Sequence, residues 1–102
     1  MLIAWLFPGQ GSQEVGMGRG VNEASSAARL VFEAADRALG RSIKKLCFYG
    51  PLDELTLTYN TQPALVATSV AILSAIREAY PRMTPAFAAG HSLGEYLSLI
   101  HI

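Results

Sequence analysis

Ser92 stands at the centre of Gly90-His91-Ser92-Leu93-Gly94, a G-x-S-x-G pattern whose chemistry is that of an acyl-accepting nucleophile. The short apolar run Ala86-Phe87-Ala88-Ala89 precedes it, and the helix-compatible Glu95-Tyr96 follows. A strand that turns straight into a helix forces the residue at the corner into a strained backbone conformation. Glycines two positions either side clear the space that side chains would fill there. The hydroxyl is then exposed at the tip, and the helix N-terminus directs N–H groups and a positive dipole end at any developing oxyanion. A chance tight turn is the plain alternative, and the strand-before, helix-after context speaks against it.

A second candidate is Phe7-Pro8-Gly9-Gln10-Gly11-Ser12-Gln13, a flexible-backbone loop after an apolar run. Phosphate binding is the first reading of such a loop, and both templates fail. The dinucleotide pattern needs glycine where Glu14 stands, and a Walker loop from Gly11 reaches Gly16 and then Met17 instead of lysine. What remains is a loop at the carboxyl end of a strand, the usual ligand edge of an open α/β sheet, where elbow enzymes place a second oxyanion N–H. Taken alone, the loop reads better as a structural turn. A serine nucleophile also needs a base, and the histidines are His91 and His101. His91 adjoins the serine and points away from it, which suits a histidine packed beneath the turn. His101 would lie roughly 13 Å along a continuing helix, beyond hydrogen-bond reach.

The elements that must position these residues follow from pattern. Leu2–Phe7 is continuously apolar and predicts a strand buried on both faces of a parallel sheet. Gly9–Gly20 holds five glycines and predicts a shaped loop leading into a helix. Ser25 or Ser26 can cap a helix carrying Ala28, Val31, Phe32, Ala35 and Leu39 on one face, with Gly40 as its stop. A short helix is expected over Ser42–Phe48 before Gly50-Pro51, and one more turn over Leu52–Leu57. Pro63 predicts the first turn of a long helix that runs to Pro81, with apolar residues around much of its circumference. The expected architecture is a three-layer α/β arrangement in which Leu2–Phe7 and Phe87–Ala89 are neighbouring parallel strands.

At 102 residues one domain is the ceiling. Half the residues are apolar and the net charge is zero, which excludes disorder and offers no electrostatic case for nucleic acid or an anionic membrane. That apolar share suits a piece of a larger domain better than a complete small one. The opening run lacks a basic n-region, and no apolar stretch reaches membrane length, so the cytoplasm is the expected compartment. Cys47 stands alone, which leaves no disulfide framework and no Cys-based metal site.

Taken together, the sequence resembles the malonyl-CoA:acyl-carrier-protein transacylases of fatty-acid synthesis and the acyltransferase domains of polyketide synthases. Phe7 to Gln13, Gly16-Met17-Gly18, Asn60-Thr61-Gln62-Pro63-Ala64-Leu65 and Gly90 to Tyr96 carry the resemblance, in the family's order and approximate spacing. It implies an α/β-hydrolase-like large subdomain, of which residues 1–96 are the N-terminal part, truncated after the elbow. By resemblance, Ser92 takes a malonyl group from coenzyme A and passes it to the phosphopantetheine thiol of acyl carrier protein. The N–H groups of Gln10 and Leu93 would form the oxyanion hole, and Gln62 would lie near the pocket. No metal or other cofactor is implied. The family's catalytic histidine and carboxylate-binding arginine are expected downstream of the elbow helix, so this chain as given is expected to be inactive. A start at the first strand favours a stand-alone enzyme over a polyketide synthase domain, and Leu93 resembles the malonyl-selective members.

The last six residues depart from the family, which continues with small residues. Leu97-Ser98-Leu99-Ile100-His101-Ile102 is the translation of CTG-TCT-CTT-ATA-CAC-ATC, a transposase adapter end, so residues 97–102 are expected to be non-native. A diverged helix is the plain alternative. Three other functional readings stay open: a polyketide acyltransferase domain, an α/β-hydrolase esterase and a non-catalytic fragment. Esterases usually carry His-Gly where this chain has Gly9-Gln10-Gly11, and sustained hydrolysis of p-nitrophenyl acetate would mark one.

Overall fold

In the first strand, β1 (Ala4–Phe7), successive side chains point to opposite faces. A computed structural model describes residues 2–85, 87–90 and 94. β1 pairs in parallel with β2 (Phe87–Gly90), in the register Ala4 to Phe87, Trp5 to Ala88, Leu6 to Ala89 and Phe7 to Gly90. The neighbouring parallel strands expected from the two apolar runs are therefore present. His91, Ser92, Leu93 and residues 95–102 lie outside the described residues, and with them the expected nucleophile at Ser92, the expected oxyanion N–H of Leu93 and the expected non-native tail 97–102.

Between the strands come α1 (Arg19–Ala24), α2 (Ser26–Leu39), α3 (Ile43–Tyr49), α4 (Leu52–Thr56) and α5 (Thr58–Ala79). The cap expected at Ser25 is there: its Oγ accepts from the Ala28 N–H at 3.2 Å, and Gly40 closes α2 at φ 68°. Ser42 caps α3 in the same way, accepting from the Lys45 N–H at 3.2 Å. Glu78, near the end of α5, accepts from the hydroxyls of Ser25 and Ser26, each at 3.0 Å, and so fastens α2 to α5.

α5 is the central element, packed on both the helical core and the sheet. Ala64, Ala67 and Ala71 face α2 and α3, where Phe32, Ile43, Cys47 and Phe48 form the main core. Phe32 and Phe48 meet edge-on with ring centres 5.1 Å apart. On the sheet side, Leu73 packs with Phe7 and with the partly buried Trp5, Val66, Val70 and Ala88. Gly18 belongs to this packing: a Cβ there would lie 2.7 Å from the Phe32 ring, and its φ of 81° is one that side chains resist.

Two expectations fail. β1 is covered on one face only: Phe7 is 7% exposed, whereas Leu6 is 77% exposed and Phe87 66%. An apolar run cannot reveal which of its faces a chain covers, and of the five helices it is α5 whose apolar side chains pack against the sheet. The second covering layer of the expected three-layer arrangement is not among the described residues. The long helix also begins at Thr58, so Pro63 is its sixth residue and lies beyond the first turn. Proline there deprives the Tyr59 carbonyl of its i+4 donor. Arg41 replaces it, donating from Nη2 to the Tyr59 oxygen at 2.9 Å and from Nη1 to Asn60 Oδ1. With that substitute donor, the helix runs through the proline.

Candidate functional site

Phe7 and Gly90 are partners in the ladder, so the two candidate motifs leave the same carboxyl edge of the sheet side by side. Neighbouring strands lie about 4.8 Å apart. Gln10 is three residues beyond one strand end and Ser92 two residues beyond the other. The topology thus sets Phe7 and Gly90, the strand ends from which the two motifs run on, side by side.

Gly94 makes the junction tighter. A Cβ at this buried glycine would lie 1.9 Å from the Phe7 carbonyl oxygen and 2.9 Å from that of Pro8. The second glycine of G-x-S-x-G is therefore pressed against the backbone that leads to Gln10. No side chain fits between them. This close approach is a physical reason for glycine at that position.

The loop after β1 is shaped by its own bonds. Ser12 N–H donates to the Gly9 carbonyl at 3.1 Å, and Gly11 N–H to Gln13 Oε1 at 2.7 Å. Farther on, Gly16 N–H donates to the Cys47 carbonyl at 2.8 Å. Gln10 is exposed, and its side-chain Nε2 donates to Thr58 Oγ1 at 3.1 Å. Among the described residues its backbone N–H donates to no acceptor, the state an oxyanion donor requires.

Gln62 is exposed one helical turn beyond Thr58, on the same side of α5. Its neighbours Asn60 and Thr61 are buried and hold the helix start. Asn60 Nδ2 donates to the Glu54 carbonyl at 2.9 Å, and the Thr61 hydroxyl donates to the carbonyls of Leu55 and, at 3.1 Å, Leu57. The stripe of α5 that bears Thr58 and Gln62 continues through Leu65, Ser69, Ile72 and Ile76. Together with β1, Pro8 and Ser12, those four residues line a cavity of about 380 Å³. Thr58 and Arg41 escaped the sequence reading, since no spacing signals a hydrogen bond across 48 residues or an arginine standing in for a proline's missing N–H.

Cys47 is buried in the core, and burial pushes its thiol above the ordinary value, outweighing the hydrogen bond that Thr68 Oγ1 donates to its Sγ at 3.7 Å. It belongs to the main core, apart from the cluster that packs on the sheet. Among the described residues no group of three or more His, Cys, Asp or Glu could hold a metal ion. Nor is any helix there long and apolar enough to cross a membrane.

Residues 4–101 match the family described as acyl transferase domain. The chain is 52% identical over 98 residues to the malonyl CoA-acyl carrier protein transacylase of Bacillus subtilis (strain 168), a match covering 96% of this chain and 30% of that protein. It is 42% identical over 98 residues to the protein of the same description from Escherichia coli (strain K12), covering 31% of it. The crystal structure of an acyl-carrier-protein S-malonyltransferase from Burkholderia pseudomallei 1710b superposes with a TM-score of 0.89 at 44% identity, over 99% of this chain and 32% of that one. A malonyl-transacylase solved in complex with its type II polyketide acyl-carrier protein gives a TM-score of 0.89 at 42% identity, over 98% of this chain and 32% of its own. The chain spans about 30% of the length of these curated relatives.

Proposed function

We propose, of a chain that belongs to the acyl transferase domain family, that it carries the nucleophile and oxyanion half of a malonyl-transfer site. Ser92 Oγ attacks the thioester carbonyl of malonyl-CoA, and the carbon–sulfur bond breaks. The serine proton leaves with the coenzyme A thiol, and the malonyl group stays on Ser92 as an ester. The phosphopantetheine thiol of acyl carrier protein then attacks that ester and restores the serine. In each half-reaction a tetrahedral oxyanion forms, and the Gln10 and Leu93 N–H groups receive it. Gln62 lies beside the acyl group.

The observation that carries this reading is the packing of Gly94 against the Phe7 and Pro8 carbonyls, which holds the last glycine of the G-x-S-x-G motif against the backbone leading to Gln10. The pairing of Phe7 with Gly90 supports it from the sheet side. A polyketide acyl carrier protein is the alternative acceptor. It is favoured by the 44% identity to the polyketide biosynthesis transacylase of Bacillus subtilis (strain 168) and by the likeness to the solved complex. The chemistry at Ser92 is the same for both acceptors.

Neither His91 nor His101 suits the role of base, so the 102-residue chain should load phosphopantetheinylated carrier no faster than its Ser92→Ala variant. Residues 1–96, fused to the part of the Bacillus subtilis relative beyond the matched 30%, should transfer malonyl, and Ser92→Ala should abolish that transfer. Mass spectrometry of the carrier reads both. Loading by the fusion that survives Ser92→Ala would end the reading.

A further inference from the structure

We propose that Thr58 is a positioning residue for the Gln10 backbone N–H. The inference rests on the reading of Gln10 as an oxyanion donor. Such a donor acts only if it points at one fixed place, and loop residues do not hold one orientation unaided. The bonds within the loop, Ser12 to Gly9 and Gly11 to Gln13, give it a shape but do not fasten it to anything else. Among the described residues, Gln10 Nε2 to Thr58 Oγ1 is the one hydrogen bond that ties residues 8–15 to another element.

The anchor is itself held. Thr58 is the first residue of α5, and helix starts fray unless their groups find partners. This start is braced from two sides. Arg41 donates to Tyr59 and Asn60, and its guanidinium lies 5.8 Å from the centre of the Tyr59 ring. Asn60 and Thr61 reach back to the carbonyls of Glu54, Leu55 and Leu57. A flexible glutamine side chain thus ends on a rigid hydroxyl, and the restraint passes through its Cα to the N–H of the same residue. The Gln10–Thr58 bond is exposed, so the effect should be modest.

The test compares Thr58→Val, Thr58→Ser and Gln10→Ala with the parent in the full 102-residue chain by ¹⁵N relaxation. The residue-10 amide should be rigid in the parent and in Thr58→Ser. It should turn mobile on the picosecond–nanosecond scale in Thr58→Val and Gln10→Ala, with the Gly40 amide unchanged throughout. In the fusion described above, Thr58→Val should lower kcat roughly two- to tenfold, with KM for malonyl-CoA held and Thr58→Ser restoring the rate. Combining it with Gln10→Ala should cost no more than either alone. A residue-10 amide equally rigid in Thr58→Val overturns the proposal, and so do additive effects of the pair. A fusion that keeps its activity as Ser92→Ala removes the reading of the site instead, and leaves the relaxation comparison intact.

Discussion

At Gly94 a methyl group would have to occupy space held by two carbonyl oxygens, the nearer 1.9 Å from its centre. Backbone cannot rotate aside as a side chain can, so Gly94→Ala should push the elbow away from the Gln10 loop. Urea denaturation of the chain should show a loss of about 1–3 kcal/mol, and the fusion should lose transfer activity with it. Gly20 is the contrasting case. It lies within α1, and nothing stands within 4 Å of the Cβ it lacks, so Gly20→Ala should stabilise by about 0.5–1 kcal/mol. A stable Gly94→Ala would mean that the close approach does not hold the elbow. The need for glycine at position 94 was legible in the sequence, because the G-x-S-x-G pattern sets glycines at fixed offsets from its serine. Thr58 was not, because its contribution is a single hydroxyl brought to Gln10 by the fold.

Among the elements, α5 shows where local rules read well and where they mislead. α2 was readable at both ends because Ser25 and Gly40 carry cap signals. The start of α5 has no side-chain cap at Leu57, and Pro63 attracted the N-terminal rule instead. The true start depends on Arg41, eighteen residues from the carbonyl it satisfies. Arg41→Ala should therefore destabilise by about 1–3 kcal/mol, and a double-mutant cycle identifies the cause. Pro63→Ala brings an N–H that can reach the Tyr59 oxygen, so Arg41→Ala should cost less in that background. Equal costs in the two backgrounds would show that Arg41 acts only through Asn60 or the Tyr59 ring. The open face of the sheet was illegible for another reason. Leu2–Phe7 is apolar on both sides, and the sequence cannot say which side this chain covers.

For the molecule as a whole, that open face and the closed core make opposite predictions. Leu2, Leu6 and Phe87 are 80%, 77% and 66% exposed beside a two-stranded sheet, and exposed apolar patches next to strand edges promote association. The isolated chain should bind a hydrophobic dye and self-associate in light scattering, and Leu6→Lys with Phe87→Lys should reduce both without lowering the thermal midpoint. On the far side of α5, Cys47 is fully enclosed by the main core. Because burial raises its thiol above the ordinary 9.0, the stability it lends is complete below that value. It is lost as pH climbs toward the folded value, since only the unfolded chain gives up the proton in that interval. Cys47→Ala should flatten the alkaline loss, measured by urea midpoints on either side of pH 9.0. The same enclosure makes this lone thiol a clock. A disulfide reagent in solution can react only during excursions in which α3 parts from α5, so the labelling rate counts those excursions. Its dependence on urea then tells whether the core opens hinge-wise, one helix at a time, or only when everything unfolds at once.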